Sequence, residues 1–197
     1  MKKKLPGTLI LASASPRRKM LLKEAGISFQ VVKPDVEELS INDCAKESLP
    51  LRNAQKKASA VSEMYPNDIV LGADTVVELN GNIIEKPEDA EHAKKMLMML
   101  SEKKHKVVTG VSILRKSDYT SILFAETSCV KFKNFSAETA EKYMNKVFVL
   151  DKAGAYAVQE YGEMIIKKIT GSVSNVIGLP VEKVLIALNL IMRDEKL

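Results

Sequence analysis

The sequence predicts an α/β protein, a mixed twisted sheet flanked by helices in two lobes with a central cleft, and three observations carry that expectation. Leu9–Ala12 is a short apolar run that feeds a capped helical segment, making a strand-loop-helix unit. Ile69–Ala73 is a mostly apolar run rich in β-formers, the pattern of a central strand buried on both faces. Asn80-Gly81, flanked by apolar runs, marks a tight hairpin, so antiparallel pairs must join the sheet. The 197 residues suit one domain spanning 1–197, with ample length for a sizeable core.

The helix after the first strand runs from about Pro16 to Ala25. Ser15 caps it, Pro16 suits its first position, and Gly26 stops it in the left-handed conformation. Ile27–Val32 reads as a second strand, and residues 33–38 as an irregular acidic segment. Leu49–Met64 is helical, with Ala54, Ala58 and Val61 on one face, until Tyr65-Pro66-Asn67-Asp68 breaks it. The strand from Ile69 then ends by delivering Asp74 out of an apolar interior.

Val76–Leu79 and Ile83–Glu85 flank the Asn80-Gly81 turn, and a two-residue loop brings Lys86 opposite Thr75, back at the Asp74 end. An ideal ladder would put Lys86 and Asp74 on opposite faces, so a shared site requires a bulge or an early end to the pairing. Glu88–Leu100 is a helix whose stripe is Ala93, Met96, Leu97 and Leu100. Val107–Leu114 and Ser121–Phe132 alternate as two antiparallel strands joined around Lys116-Ser117-Asp118. Ser136 caps a helix to about Lys146, and a loop of small residues, Asp151–Tyr156, precedes Gln159. A strand over Met164–Ile169 and the turn Thr170-Gly171-Ser172 lead to Gly178-Leu179-Pro180. These start a final helix with Val181, Val184, Leu185, Leu188 and Met192 facing inward.

Composition narrows the function. The net charge of +5 comes from scattered lysines, and no helical, zinc-finger or RNA-binding signature accompanies it. With tryptophan absent and few aromatics for stacking, a small acidic ligand such as a nucleotide fits better than nucleic acid. Cys44 and Cys129 lack paired spacing and read as reduced thiols of a cytoplasmic protein. His92 and His105 lack partners at metal-ligand spacing and read as structural. Met1–Lys4 is basic but leads to no cleavage site, and Pro180, Glu182 and Lys183 interrupt the apolar tract Val176–Met192, so neither a signal nor a membrane span is expected.

Arg17 and Arg18 occupy the first turn of a helix, the positive end of its dipole, where cations are unfavourable. Unsatisfied N–H groups, the hydroxyls of Ser13 and Ser15 and two guanidinium forks at one helix end make a phosphate site, the plain alternative being two solvated arginines. Asp74, arriving from a buried strand, can serve as general base on water, as ligand to a hard divalent cation, or as a turn aspartate. Glu37 and Glu38 are further carboxylates on an early loop, and Lys57 and Lys86 can neutralise triphosphate charge. The Gln159 amide can read a base edge.

Six motifs in order resemble the Maf family. They are Ser13–Arg18, Gly72–Val76, Glu85-Lys86-Pro87, His105–Val111, Asp151–Tyr156 and Gly178-Leu179-Pro180, covering almost the whole chain. The resemblance implies a fold related to inosine triphosphate pyrophosphatases and hydrolysis of a nucleoside triphosphate to its monophosphate and pyrophosphate. It implies that Asp74 is the proton acceptor and that Arg17, Thr75 and Gln159 set substrate specificity. Ser13, Arg18, Glu38, Lys57 and Lys86 match other polar residues of the family cleft. Ala73-Asp74-Thr75 with Gln159 resembles the branch acting on dTTP and UTP. A divalent cation, magnesium or manganese, is expected on Glu38 and Asp74, in a homodimer with neither nucleic-acid nor membrane partner. The family's historical association with septum formation leaves open a nucleotide-binding regulator that does not hydrolyse. Glu160 and Glu102 stand where that branch commonly has glycine, the first beside the base-reading loop and the second at a turn.

Overall fold

The structure, a computed structural model, describes residues 7–194. Met1–Lys4 and the side chain of Met192 lie outside the described residues. The chain divides into two compact units. The first holds the residues up to Asp74, Thr109–Glu126 and those from Gly178 onward; the second holds Thr75–Val108 and Thr127–Ile177. A mixed sheet of seven strands, flanked by helices, agrees with the expected class.

In the first unit, β1 (Leu9–Ala12) pairs in parallel with β2 (Gln30–Val32) on one side and with β3 (Ile69–Leu79) on the other. All four residues of β1 are buried, which is why its sequence is an unbroken apolar run. Between β1 and β2 lies α1 (Pro16–Glu24), stopped at Gly26 with φ +70°. Next comes α2 (Leu49–Met64), which has the expected bounds and packs Ala58 and Val61 against Ile10, Ala12 and Val70.

Two glycines seat α2 on the strands beneath it. A Cβ on Gly72 would lie 2.9 Å from the Ala58 backbone nitrogen and closer still to the Ala54 carbonyl oxygen. One on Gly110, in β5 (Lys104–Arg115), would lie 2.5 Å from the Leu51 nitrogen. Residues lacking a side chain let the helix backbone come down onto the strands.

β3 corrects one expectation. It runs on through Thr75–Leu79, so Asp74 sits in mid-strand and not at a strand end. The β-formers Val76 and Val77 and the partner strand β4 (Asn82–Ile84) extend it through the Asn80-Gly81 turn. Pairing stops at Val77 and Ile84, so the ladder ends early, before Lys86.

The second unit is built on α3 (Ala90–Leu100), whose Ala93, Met96, Leu97 and Leu100 are buried as expected, and α4 (Ala137–Met144), capped by Ser136. They share a core with Val77, Leu79, Ile84 and Phe132. β6 (Thr120–Phe132) follows β5 after a short 3₁₀ turn, and β7 (Ile166–Thr170) pairs antiparallel with β6. A short helix, α5 (Val173–Ile177), follows the expected turn Thr170-Gly171-Ser172, over residues for which the sequence predicts no element of their own. Ser172 accepts a hydrogen bond from the Asn175 N–H, and the buried Asn175 amide donates to Val107 O and Ser128 Oγ. In α6 (Val181–Asp194) the buried stripe is Val184, Ala187, Leu188 and Ile191. Leu185, expected inward, is 37% exposed because it lies about 100° around the helix from Val184. Among the described residues no helix is long and apolar enough to cross a membrane. Cys44 and Cys129 are both unbridged.

Both histidines are structural, and one predicts a pH effect. His92 accepts from the Glu88 N–H, whereas His105 is buried, its Nε2 2.8 Å from the Tyr156 hydroxyl and its ring edge-on to Phe132. Burial pulls the His105 pKa from 6.5 down to about 4. The unfolded chain therefore binds the proton first, and stability is lost as pH falls from 6.5 through 4, by up to about 3 kcal/mol. Urea midpoints at pH 7 and 4.5 test this: the drop should be smaller in His105→Gln than in the unsubstituted protein.

Candidate active site

The parallel register aligns Ala12 with Gly72, so the chain leaves β1 at Ser13 level with the stretch of β3 that carries Asp74. Loops beyond the carboxyl ends of parallel strands are where open α/β sheets bind ligands. Ser13 is buried and bonds the loop internally: its Oγ accepts from the Ser15 N–H at 3.2 Å and from Arg18 Nη1 at 3.1 Å. Ser15 caps α1 by accepting from the Arg18 N–H at 3.5 Å. Arg18 Nε donates to the Gly178 carbonyl at 2.9 Å, so the Gly178-Leu179-Pro180 motif anchors this guanidinium.

The opposing charges belong to the same unit. Burial lowers the Arg18 pKa from its usual value; Asp74 pulls it up, Arg17 lowers it and Glu38 raises it. Arg18 therefore feels the charges of Asp74, Arg17 and Glu38. Lys57 completes the set, its ammonium 2.7 Å from Asp74 Oδ1 and 2.9 Å from Glu38 Oε1. The Lys57 and Asp74 side chains are 8% and 11% exposed and that of Glu38 52%, so a buried ion pair has one solvent-reaching carboxylate attached. Lys57, expected to grip triphosphate charge, holds the two carboxylates together. Burying Asp74 without such a partner would be costly.

Asn53 is a site residue that sequence reasoning misses. Its Oδ1 accepts from the Leu39 N–H at 2.7 Å, while Nδ2 donates to Leu39 O at 3.0 Å and reaches Asp74 Oδ2 at 3.4 Å. One amide thus ties the Glu38 segment to α2 and leans on Asp74. The signal that could have found it is spacing: Asn53 and Lys57 are four apart on the face that buries Ala54, Ala58 and Val61, where polar residues need partners. Glu37 is exposed.

The other candidates lie from Thr75 onward, in the second unit. Thr75 is half-buried and, one residue after Asp74, projects from the opposite face of β3. Lys86 is exposed just beyond β4, and Gln159 is exposed in a turn. Two of the sequence motifs meet here, the Gly154 N–H donating to Glu85 O at 3.2 Å.

A family model described as Maf-like protein matches residues 8–191. The chain belongs to the Maf family. It is 45% identical to a dTTP/UTP pyrophosphatase of Akkermansia muciniphila, over 92% of this chain and 95% of that protein. It is 44% identical to one of Salmonella typhimurium, over 88% and 87%, and 37% identical to one of Clostridioides difficile, over 89% and 90%.

Within this Maf chain the two glutamates at the expected glycine positions lie in different settings. Glu102 follows the end of α3 with φ +61°, a left-handed conformation that strains a residue with a Cβ. Glu160 is half-buried in the turn with Gln159, its carboxylate 3.8 Å from the buried Lys152 ammonium.

Proposed function

We propose that this Maf protein hydrolyses dTTP or UTP to the monophosphate and pyrophosphate by attack of water on the α-phosphorus. The observation that carries the reading is Arg18, beside Arg17 at one helix start, interacting with the same two carboxylates that Lys57 holds. Membership of a family whose relatives are named dTTP/UTP pyrophosphatases supplies the substrate.

Asp74 takes a proton from the attacking water as the water oxygen bonds to phosphorus. The bond from that phosphorus to the bridging oxygen breaks, and its electron pair leaves with pyrophosphate. Arg17 and Arg18 hold phosphate oxygens and offset the growing charge of the leaving group, with Ser13 fixing the Arg18 fork. Lys57 keeps Asp74 and Glu38 together at the same end. The reading gives Lys86 a phosphate-binding role and gives Arg17, Thr75 and Gln159 a role in choosing the nucleotide.

Glu38 and Asp74, the two carboxylates that Lys57 brings together, would hold the magnesium or manganese ion of this reading. Such ions take one or two protein carboxylates and fill the remaining positions with phosphate oxygens and water. No cluster of three or more His, Cys, Asp or Glu side chains, as a closed cage would need, occurs among the described residues. A cation held there would supply neutralisation of phosphate charge. The reading also includes a cytoplasmic homodimer whose ligand is a small nucleotide, with nucleic acid and membrane not among its partners.

A panel of triphosphates with magnesium or manganese, scored for pyrophosphate against orthophosphate, tests the function. Pyrophosphate should appear with monophosphate, and kcat/KM for dTTP and UTP should exceed that for purine triphosphates by about tenfold or more. Orthophosphate as the first product would place attack at the terminal phosphorus and overturn the reading.

A further inference from the structure

Gln159 sits in an exposed turn, and an exposed glutamine is a poor reader of bases unless its backbone is held. The second unit supplies that hold just ahead of it. Tyr143 of α4 is fully buried, and its hydroxyl makes two hydrogen bonds to one residue: it donates to Ala157 O at 3.2 Å and accepts from the Ala157 N–H at 2.9 Å. Burial pushes this phenol up to about 12, so the hydroxyl keeps the proton it donates. The preceding residue is tied as well, the Tyr156 hydroxyl lying 2.8 Å from His105 Nε2. After the turn, Tyr161 takes the left-handed conformation at φ +51°, and the Lys146 ammonium sits 4.7 Å above its ring. The five residues from Ala157 to Tyr161 are thus pinned at both ends, with Gln159 midway between.

We infer that Tyr143 is a positioning residue for nucleotide choice: its hydroxyl fixes the Ala157 backbone and thereby aims the Gln159 amide at the base. The inference rests on the reading of Gln159 as a base-contacting residue. A tyrosine that only filled the core would need its ring; one that positions the turn needs the hydroxyl. Tyr143→Phe keeps the ring and removes both hydrogen bonds.

The test compares kcat/KM for dTTP with that for dCTP in four proteins: unsubstituted, Tyr143→Phe, Gln159→Ala and the double variant. Tyr143→Phe should lower the dTTP preference by about tenfold. The change should come through KM, and the inhibition constant for inorganic tripolyphosphate, which has no base, should stay the same. Gln159→Ala should lower the preference at least as far, and the double variant no further than Gln159→Ala alone, because both substitutions break one device. Preference lost in Gln159→Ala but kept in Tyr143→Phe, or losses that add in the double variant, overturns the inference while leaving the role of Gln159 standing. Preference kept in Gln159→Ala removes that role and the inference with it. If Tyr143→Phe does not fold cooperatively, Tyr143→Met takes its place. It too removes both hydrogen bonds to Ala157 while keeping an apolar side chain, and a preference kept there overturns the inference equally.

Discussion

Asp74→Asn lowers turnover by about two orders of magnitude or more, the expected cost of losing a general base. Asparagine matches aspartate in size, so the β3 backbone and the Asn53 contact survive, but the amide cannot take a proton from water. The Lys57 ammonium then keeps only Glu38, a half-exposed partner, and that loss of a buried charge pair should cost about 1–3 kcal/mol of stability. The two effects separate in one experiment, in which kcat at saturating nucleotide is measured alongside the urea midpoint. Full turnover in a folded Asp74→Asn protein would remove Asp74 from the chemistry.

Gly72→Ala should make the protein markedly easier to unfold, although it adds only one methyl group. The new Cβ meets the Ala54 carbonyl and the Ala58 nitrogen, backbone atoms of α2 that cannot rotate away as a side-chain tip could. Overpacking of this kind costs about 1–3 kcal/mol, with backbone clashes toward the upper end, or roughly 5–10 °C in melting temperature at this size. Turnover should fall too, because α2 carries Asn53 and Lys57 and must lift away from Asp74. A melting temperature and kcat both unchanged in Gly72→Ala would show that the helix does not depend on this close approach.

How much of the chain is legible in its sequence varies with the range of the forces involved. Leu49–Met64 can be read to the residue because an apolar stripe and a Tyr-Pro break are both written locally. The β3–β4 register follows from Asn80-Gly81 alone, Leu79 facing Asn82 as a two-residue turn requires. α5 escapes such reading: five residues are too short for periodicity, and its stability comes from Asn175 reaching Val107 and Ser128. Leu185 is easily misplaced because several apolar residues crowd that helix and only packing selects the stripe.

The candidate site shows the same division. Arg17 and Arg18 at a helix start, and Asp74 after an apolar run, are visible in the sequence because caps, dipoles and burial patterns act over a few residues. Which charges meet is another matter. Lys57 lies seventeen residues from Asp74, and nothing local says that its ammonium will join that carboxylate to Glu38, nor that Asn53 will tie in Leu39. Those pairings wait on α2 settling onto Gly72, since a buried charge takes whichever partner the packing brings within reach. Chain chemistry named the reactive groups, and the folded backbone chose their partners.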